Sequence, residues 1–346
     1  MEMTGRIIGG SQLRLRIAEQ SDVGECRRTA KRLADQYEFD ETSVGRICII
    51  ATELANNIVR HAGAGEVLLQ VLDDGFMPEL EMLAVDSGPG MKDVGECLRD
   101  GYSTGGTQGT GLGAVSRLSS TFDVFSTPSK GTVVLSRTAF NGTARTSSVA
   151  ARPSLEFGAV SIALAGEIEC GDGWRIVDGG QAIGMFVVDG LGHGPLAARA
   201  SLAAAAEYCE RPFDDPSQTM VRLHRAVSGT RGAAAACAIL QVAKLKVTYA
   251  GVGNICGRVL TPEQSTGMVS HNGTLGVQIL RTQQFEYDWP PDSRVVMHSD
   301  GLMTRWSLAE YPGLYLRQCA TIAAVLYRDY GRKRDDITVV VAKYRP

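Results

Sequence analysis

The residues of this sequence best placed to do chemistry are carboxylates that stand where an apolar strand ends. Asp189 closes the run Met185-Phe-Val-Val-Asp-Gly190, Asp300 closes Val295-Val-Met-His-Ser-Asp-Gly301, and Asp172 stands in Cys170-Gly-Asp-Gly-Trp174. Asp335 and Asp336 precede the last apolar run, in Arg334-Asp-Asp-Ile-Thr338. A carboxylate at the end of a buried strand is costly unless it meets water or a cation. If these positions converge on one end of a sheet sandwich, they make a hard, oxygen-rich site suited to Mg2+ or Mn2+. Two such ions could share a water, lower its pKa and aim it in line at a phosphoryl group. Each Asp-Gly is singly an ordinary turn signal. The repeated strand-Asp-Gly context is what separates the set from turns.

The first part of the chain carries a different constellation. Glu53 and Asn57 are spaced to share one helix face. A carboxylate there can orient or deprotonate an attacking hydroxyl, and an amide oxygen suits magnesium. Asp86-Ser-Gly-Pro-Gly90 follows an apolar strand, so Asp86 can accept from an exocyclic amine while Gly88 and Gly90 let the backbone approach a ring closely. Gly105-Gly-Thr-Gln-Gly-Thr-Gly-Leu-Gly113 opens into a helix. The free N–H groups of such a segment, around Gly105, Gly109, Gly111 and Gly113, hold phosphate oxygens. No Gly-x-x-x-x-Gly-Lys-Ser/Thr occurs, which excludes a P-loop, and the surroundings of Gly109–Ala114 do not fit a dinucleotide fingerprint.

Periodicity supplies elements to position these groups. Alternation over Ser11–Ile17 predicts a strand, and Asp22 caps a helix toward Tyr37. Asp40 caps a second helix whose apolar spacing covers Val44–Arg60. Strands follow at Glu66–Val71, Leu80–Val85, Thr121–Ser126 and Gly131–Thr138. Asn141–Ser148 is small and polar, as linkers are. Beyond Pro153 strands dominate: Glu156–Ala165, Trp174–Asp178, Ala182–Val188, Ala234–Val242, Lys246–Gly251, Arg258–Leu260, Arg294–His298 and Ile337–Lys343. Helices are expected over Pro195–Glu210, Pro216–Val227 and Leu314–Tyr330. The fold class is therefore α+β, in two domains, residues 1–140 and 153–346, joined by a linker at 141–152.

A chain of 346 residues with 44% apolar and 21% charged residues is ordinary globular material of two-domain size. A net charge of −3 gives no reason to expect nucleic acid or an anionic membrane as partner. No apolar run is long enough for a spanning helix, and no secretory leader is apparent at Met1–Arg6. The eight cysteines are scattered without a Cys-x-x-Cys pair, which points to buried thiols in a reducing cytoplasm.

Glu53-Leu-Ala-Asn-Asn57, Asp86-Ser-Gly-Pro-Gly90 and Gly101-Tyr-Ser-Thr-Gly…Gly109-Thr-Gly-Leu-Gly113 resemble the conserved boxes of the GHKL ATPase superfamily. Asp100-Gly-Tyr-Ser-Thr104 is similar to its RsbT-type serine kinases. The resemblance implies an α/β sandwich that binds Mg-ATP and phosphorylates a serine on a small STAS-domain protein. Glu53 would be the base, Asn57 the magnesium ligand and Asp86 the adenine contact. His61 is expected to pack or cap. Asp189-Gly-Leu-Gly-His-Gly194, Gly251-Val-Gly-Asn254, His298-Ser-Asp-Gly301 and Asp335-Asp-Ile-Thr338 resemble the metal-dependent (PPM) protein phosphatases. Within these, the match is to the SpoIIE-like branch in the compact form of RsbX, with Cys170-Gly-Asp-Gly173 and Arg231-Gly-Ala-Ala234. This resemblance implies a β-sandwich flanked by helices that hydrolyses phosphoserine or phosphothreonine. Two Mn2+ or Mg2+ ions would be held by Asp172, Asp189, the Gly190 carbonyl, Asp300 and Asp335, with Asp336 open as the alternative to Asp335. His193 is either structural or catalytic. The two halves together imply control of one regulator's phosphorylation in a stressosome-like or partner-switching circuit. The alternative is a nucleotide-dependent switch that sequesters or activates its partner without phosphoryl transfer.

Overall fold

The computed structural model describes residues 6–73, 78–98, 111–140, 155–279 and 281–344. It divides into two compact units, one of Gln12–Ala150 with Ser307–Arg328, the other of Met1–Ser11, Ala151–Trp306 and Asp329–Pro346. This differs at two places from a single cut at residues 141–152, and that linker itself lies outside the described residues.

The ATPase-type unit is built on five antiparallel strands in the order Leu13–Ile17, Gly65–Leu72, Glu79–Asp86, Gly131–Ala139, Thr121–Thr127. The helices Gln20–Gln36 and Glu41–Asn57 cover one face. Ile47, Ile50 and Leu54 pack there with Val67, Leu69, Met82 and Val134. Asp40 caps the second helix by accepting from the Ser43 N–H, as expected. The first helix instead starts at Gln20, and Glu19 is its cap. Asp22 sits three residues in and completes a reciprocal capping box, which its position just before the apolar period had disguised. The second helix ends in a π-helical turn, Ile58–Ala62, that carries an exposed His61.

The central strands do not alternate. Gly65–Leu72 and Glu79–Asp86 are buried almost without interruption, so apolar residues line both faces of the sheet and both faces need cover. Leu68, Leu83 and Leu135, which by alternation point away from the two helices, are fully buried. Ser307–Arg328 is the segment that attaches on this side. Its helix, Cys319–Tyr330, is shorter than the expected Leu314–Tyr330, the first residues forming a separate 3-10 turn.

Asp123, on the edge strand, supplies the cap this helix lacks locally. Its carboxylate accepts from the Gln318 N–H (2.9 Å), the Thr321 hydroxyl (2.8 Å) and the Arg317 guanidinium (3.4 Å). Tyr311 packs edge-on against Phe125 beneath the Lys130 ammonium. On the same face Arg137 and Glu81 form a buried ion pair at 2.8 Å, completed by Gln70.

The other unit is a sandwich of two antiparallel sheets flanked by helices. Six strands run in the order Arg6–Ile8, Asp172–Asp178, Ala182–Gly190, Ala233–Gln241, Lys246–Val252, Phe285–Asp288. Five run Ser265–Met268, Cys256–Leu260, Arg294–His298, Ile337–Tyr344, Leu155–Ile162. Arg6–Ile8, which shows too little alternation to be read as a strand, joins by pairing with Ile176–Asp178 at the sheet edge. The helices Pro195–Glu210 and Pro216–Ala226 cover the six-stranded sheet, where Phe186 stacks on Tyr208 and Met220 and Leu223 fill the layer. Among the described residues no helix is long and apolar enough to cross a membrane.

The Asp123 cap generates a stability prediction. Asp123→Ala leaves the Gln318 N–H and the Thr321 hydroxyl without their partner and is expected to cost about 1–3 kcal/mol. The check is the denaturant midpoint of the full chain, and an unaltered midpoint would contradict the cap.

Candidate functional site

Each sheet of the sandwich sends carboxylates to the same end. Asp172 and Asp189 face each other directly across their two strands. Asp300 follows the strand Arg294–His298, and Asp335 and Asp336 lead into its neighbour Ile337–Tyr344. The four loops meet. The charge on Asp189 is opposed by Asp300, Asp335 and Asp336, and that on Asp172 by Asp189 and Asp336. Burial together with this repulsion pushes Asp189 up to about 8 and holds Asp172 well above the usual carboxylate range.

Polar neighbours orient the set. The Ser299 hydroxyl donates to Asp172 (2.6 Å) and accepts from the Thr338 N–H (3.0 Å). The Asn254 amide donates to Asp300 at 2.7 Å and also bonds Asp189. Asp336 is committed to the backbone, its two oxygens accepting from Leu164 (2.7 Å) and Gly171 (2.9 Å). Asp335 is half-buried and accepts from the Asp336 N–H. Gly190 presses against the helix that follows, where a Cβ would lie 3.0 Å from the Ala197 Cα, so a side chain there would push the loop off the helix. His193 is exposed and bonds Glu167 at 2.7 Å. His298 is buried, donates from Nδ1 to the Ser299 carbonyl and accepts from the Trp306 indole (3.2 Å), which fixes the backbone just before Asp300. Burial brings its pKa down to about 4. Asn254 and Ser299 carry no sequence signal that would assign them to the site. Their hydrogen bonds depend on loops that only the fold brings together.

Among the described residues no three acidic, histidine or cysteine side chains already stand in a ligating arrangement. Hydrogen bonds hold one oxygen of Asp172 toward Ser299 and one oxygen of Asp300 toward Asn254. The donor set nevertheless fits a divalent cation. It is all oxygen, and the mutual repulsion of its members is what such a cation relieves.

In the ATPase-type unit, Glu53 and Asn57 are half-buried and converge on the start of the helix Gly111–Leu118. A Cβ on Gly111 would lie 2.7 Å from Glu53 Oε2 and 3.6 Å from Asn57 Oδ1, so only glycine leaves that approach open. Asp86 uses one carboxylate oxygen on the N–H groups of Gly88 (2.8 Å) and Thr132 (3.2 Å). Its other oxygen makes no hydrogen bond among the described residues, which leaves an acceptor for an amine. Gly90 lies beside Thr127, and Gly113 is buried within its helix. Gly105 and Gly109 lie outside the described residues.

The comparisons with known proteins divide along the same line. The histidine kinase-like ATPase domain matches residues 17–137, and the stage II sporulation protein E (SpoIIE) family matches residues 179–345. The chain thus carries a histidine kinase-like ATPase domain and a SpoIIE-type domain, one in each part. The serine/threonine-protein kinase RsbT of Bacillus subtilis (strain 168) is 32% identical over 120 residues, 35% of this chain and 90% of RsbT. A solved structure from work on the bacterial stressosome, a modular system adapted to control secondary messenger signalling, is 30% identical with a TM-score of 0.51. It covers 55% of this chain and 99% of its own. RsbX in complex with magnesium is 20% identical with a TM-score of 0.48 over 55% of this chain and 96% of RsbX. The SpoIIE-type unit makes this chain a protein phosphatase, and it carries a serine/threonine kinase-type ATPase domain as well.

The acidic cluster has a consequence for stability. Asp189 rises from 3.8 in the unfolded chain to about 8 in the fold. Between those values the folded state binds more protons than the unfolded one, so stability falls as pH rises through the window. With divalent ions chelated, the thermal midpoint of the SpoIIE-type unit is expected to drop between about pH 5 and about pH 8. Asp189→Asn should raise the midpoint at the upper end of that range, and a flat profile would contradict the clustering.

Proposed function

We propose that the chain sets the phosphorylation level of a regulatory protein in a bacterial partner-switching circuit, in the cytoplasm. The SpoIIE-type unit removes phosphate from phosphoserine or phosphothreonine of a STAS-domain protein, and the ATPase-type unit phosphorylates a serine on such a protein. The observation that carries this reading is the meeting of Asp172, Asp189, Asp300 and Asp335 at one end of the sandwich.

Asp172, Asp189, Asp300 and Asp335, with the Gly190 carbonyl, hold two Mn2+ or Mg2+ ions in this reading. Divalent cations there supply the positive charge that draws in a phosphate and activates water for attack on phosphorus. Asp335 is chosen over Asp336 because the latter's oxygens are occupied by two backbone N–H groups. Asn254 and Ser299 orient the carboxylates they bond. Glu167 fixes His193 at the rim of the site, and positive charge on His193 would favour ionised Asp335.

In the ATPase-type unit Glu53 takes the proton of the attacking serine hydroxyl, and the Asn57 amide oxygen ligates the Mg2+ that accompanies ATP. Asp86 accepts from the adenine amine. Gly88, Gly90, Gly105, Gly109, Gly111 and Gly113 shape the pocket around base and phosphates.

Asp189→Asn is expected to lower manganese-dependent hydrolysis of a chromogenic phosphate about a hundredfold or more while the chain stays folded. Turnover at the wild-type rate would refute the metal assignment. Incubation with labelled ATP and purified STAS proteins should place label on serine, and Glu53→Gln should prevent it. Tight nucleotide binding with no label on any of them would favour a switch that acts by binding alone.

A further inference from the structure

Arg328 ends the segment that covers the second face of the ATPase sheet, and it reaches the strand end at Asp86. Its Nη1 donates to the Asp86 main-chain carbonyl at 3.4 Å, across 242 positions of sequence. The helix is held at both ends. Asp123 caps its start on the edge strand Thr121–Thr127. Near its end the Tyr327 hydroxyl bonds Arg14 and Glu66, on the strands Leu13–Ile17 and Gly65–Leu72. The helix therefore crosses the whole sheet. Its twelve residues rise about 18 Å, close to the width of five strands spaced about 4.8 Å apart. A rigid element fixed at both edges of the sheet delivers Arg328 to one place, the strand end where Asp86 turns into Ser87 and Gly88.

We propose that Arg328 is a positioning residue of the adenine-nucleotide site, holding the Asp86 strand end so that its carboxylate faces the base as an acceptor. The inference rests on the reading of Asp86 as the adenine contact. Burial works against an ionised Asp86, while the N–H groups of Gly88 and Thr132, then Arg328 and His61, favour it. An ionised carboxylate accepts from the adenine amine but meets a carbonyl oxygen at the same position of hypoxanthine. Selection between the two bases is therefore the property Arg328 controls, because Asp86 is read as contacting the base and not the phosphates.

The test uses the full chain with Mg2+ and measures ATP, ADP and inosine triphosphate binding by calorimetry. Arg328→Met, close in length and uncharged, is expected to weaken ATP and ADP about tenfold each and to shrink the preference for ATP over inosine triphosphate by a similar factor. The ratio of ATP to ADP affinity should stay at the wild-type value. Arg328→Lys, which keeps the charge and loses the fork, should fall between the two. Wild-type affinity and base preference in Arg328→Met would overturn the proposal, as would an equal loss for all three nucleotides, which marks a structural role alone. Asp86→Asn separates the two readings. If it abolishes the base preference while Arg328→Met does not, Asp86 stands as the adenine contact and Arg328 has no part in it. If Asp86→Asn leaves the preference unchanged, the adenine reading itself fails, and the proposal with it.

Discussion

Repulsion among carboxylates gathered at one end of a β-sandwich is the constraint on which the SpoIIE-type unit depends. Asp172 and Asp189 face each other on adjacent strands, and loops from the second sheet bring Asp300, Asp335 and Asp336 against them. Such an assembly opposes folding in the absence of cations, because each buried charge raises the cost of ionising the next. The rest of the unit compensates. Extended apolar ladders such as Ala182–Gly190 with Ala233–Gln241 are buried almost throughout, and two helices seal the layer outside them. The stability needed to hold the acids together comes from that core.

The polar groups around the cluster divide the labour among its members. Asp336 is spent on two backbone N–H groups and ties the segments at Leu164 and Gly171 to the last strand. Ser299 links Asp172 to the Thr338 backbone, and Asn254 spans Asp300 and Asp189. A neutral His298, bonded at both ring nitrogens, fixes the backbone just before Asp300. Removing one of these supports would leave the carboxylates in place but loosely aimed.

Much of this was legible in the sequence, and for definable reasons. A carboxylate at the end of an apolar strand is costly enough that its repetition pointed to the acidic cluster; spacing put Glu53 and Asn57 on one helix face, and their proposed roles came from the resemblance to the GHKL boxes. The choice between Asp335 and Asp336 was not legible. Both precede the same strand, and only the backbone partners of Asp336 set them apart. Asn254 and Ser299 stayed hidden because a single amide or hydroxyl has no pattern. Arg6–Ile8 is too short to show a period, and its place at the sheet edge is set by a partner far along the chain.

Ser307–Arg328 shows what local reading misses even when the local pattern is right. Its helix was expected, but by order in the chain it fell with the sandwich. The missing clue lay in the other partner. Gly65–Leu72 and Glu79–Asp86 read as nearly continuous apolar runs, and a sheet with helices on one face only should alternate. Unbroken burial therefore required a second covering layer that the described residues of 12–140 do not contain. Asp123 gives the same message in polar form, a buried carboxylate on an edge strand whose donors among the described residues are Arg317, Gln318 and Thr321 besides the N–H of its neighbour Val124. A sheet apolar on both sides and an acid whose side-chain donors lie far along the chain are two forms of one unmet requirement, and a single distant helix satisfies both.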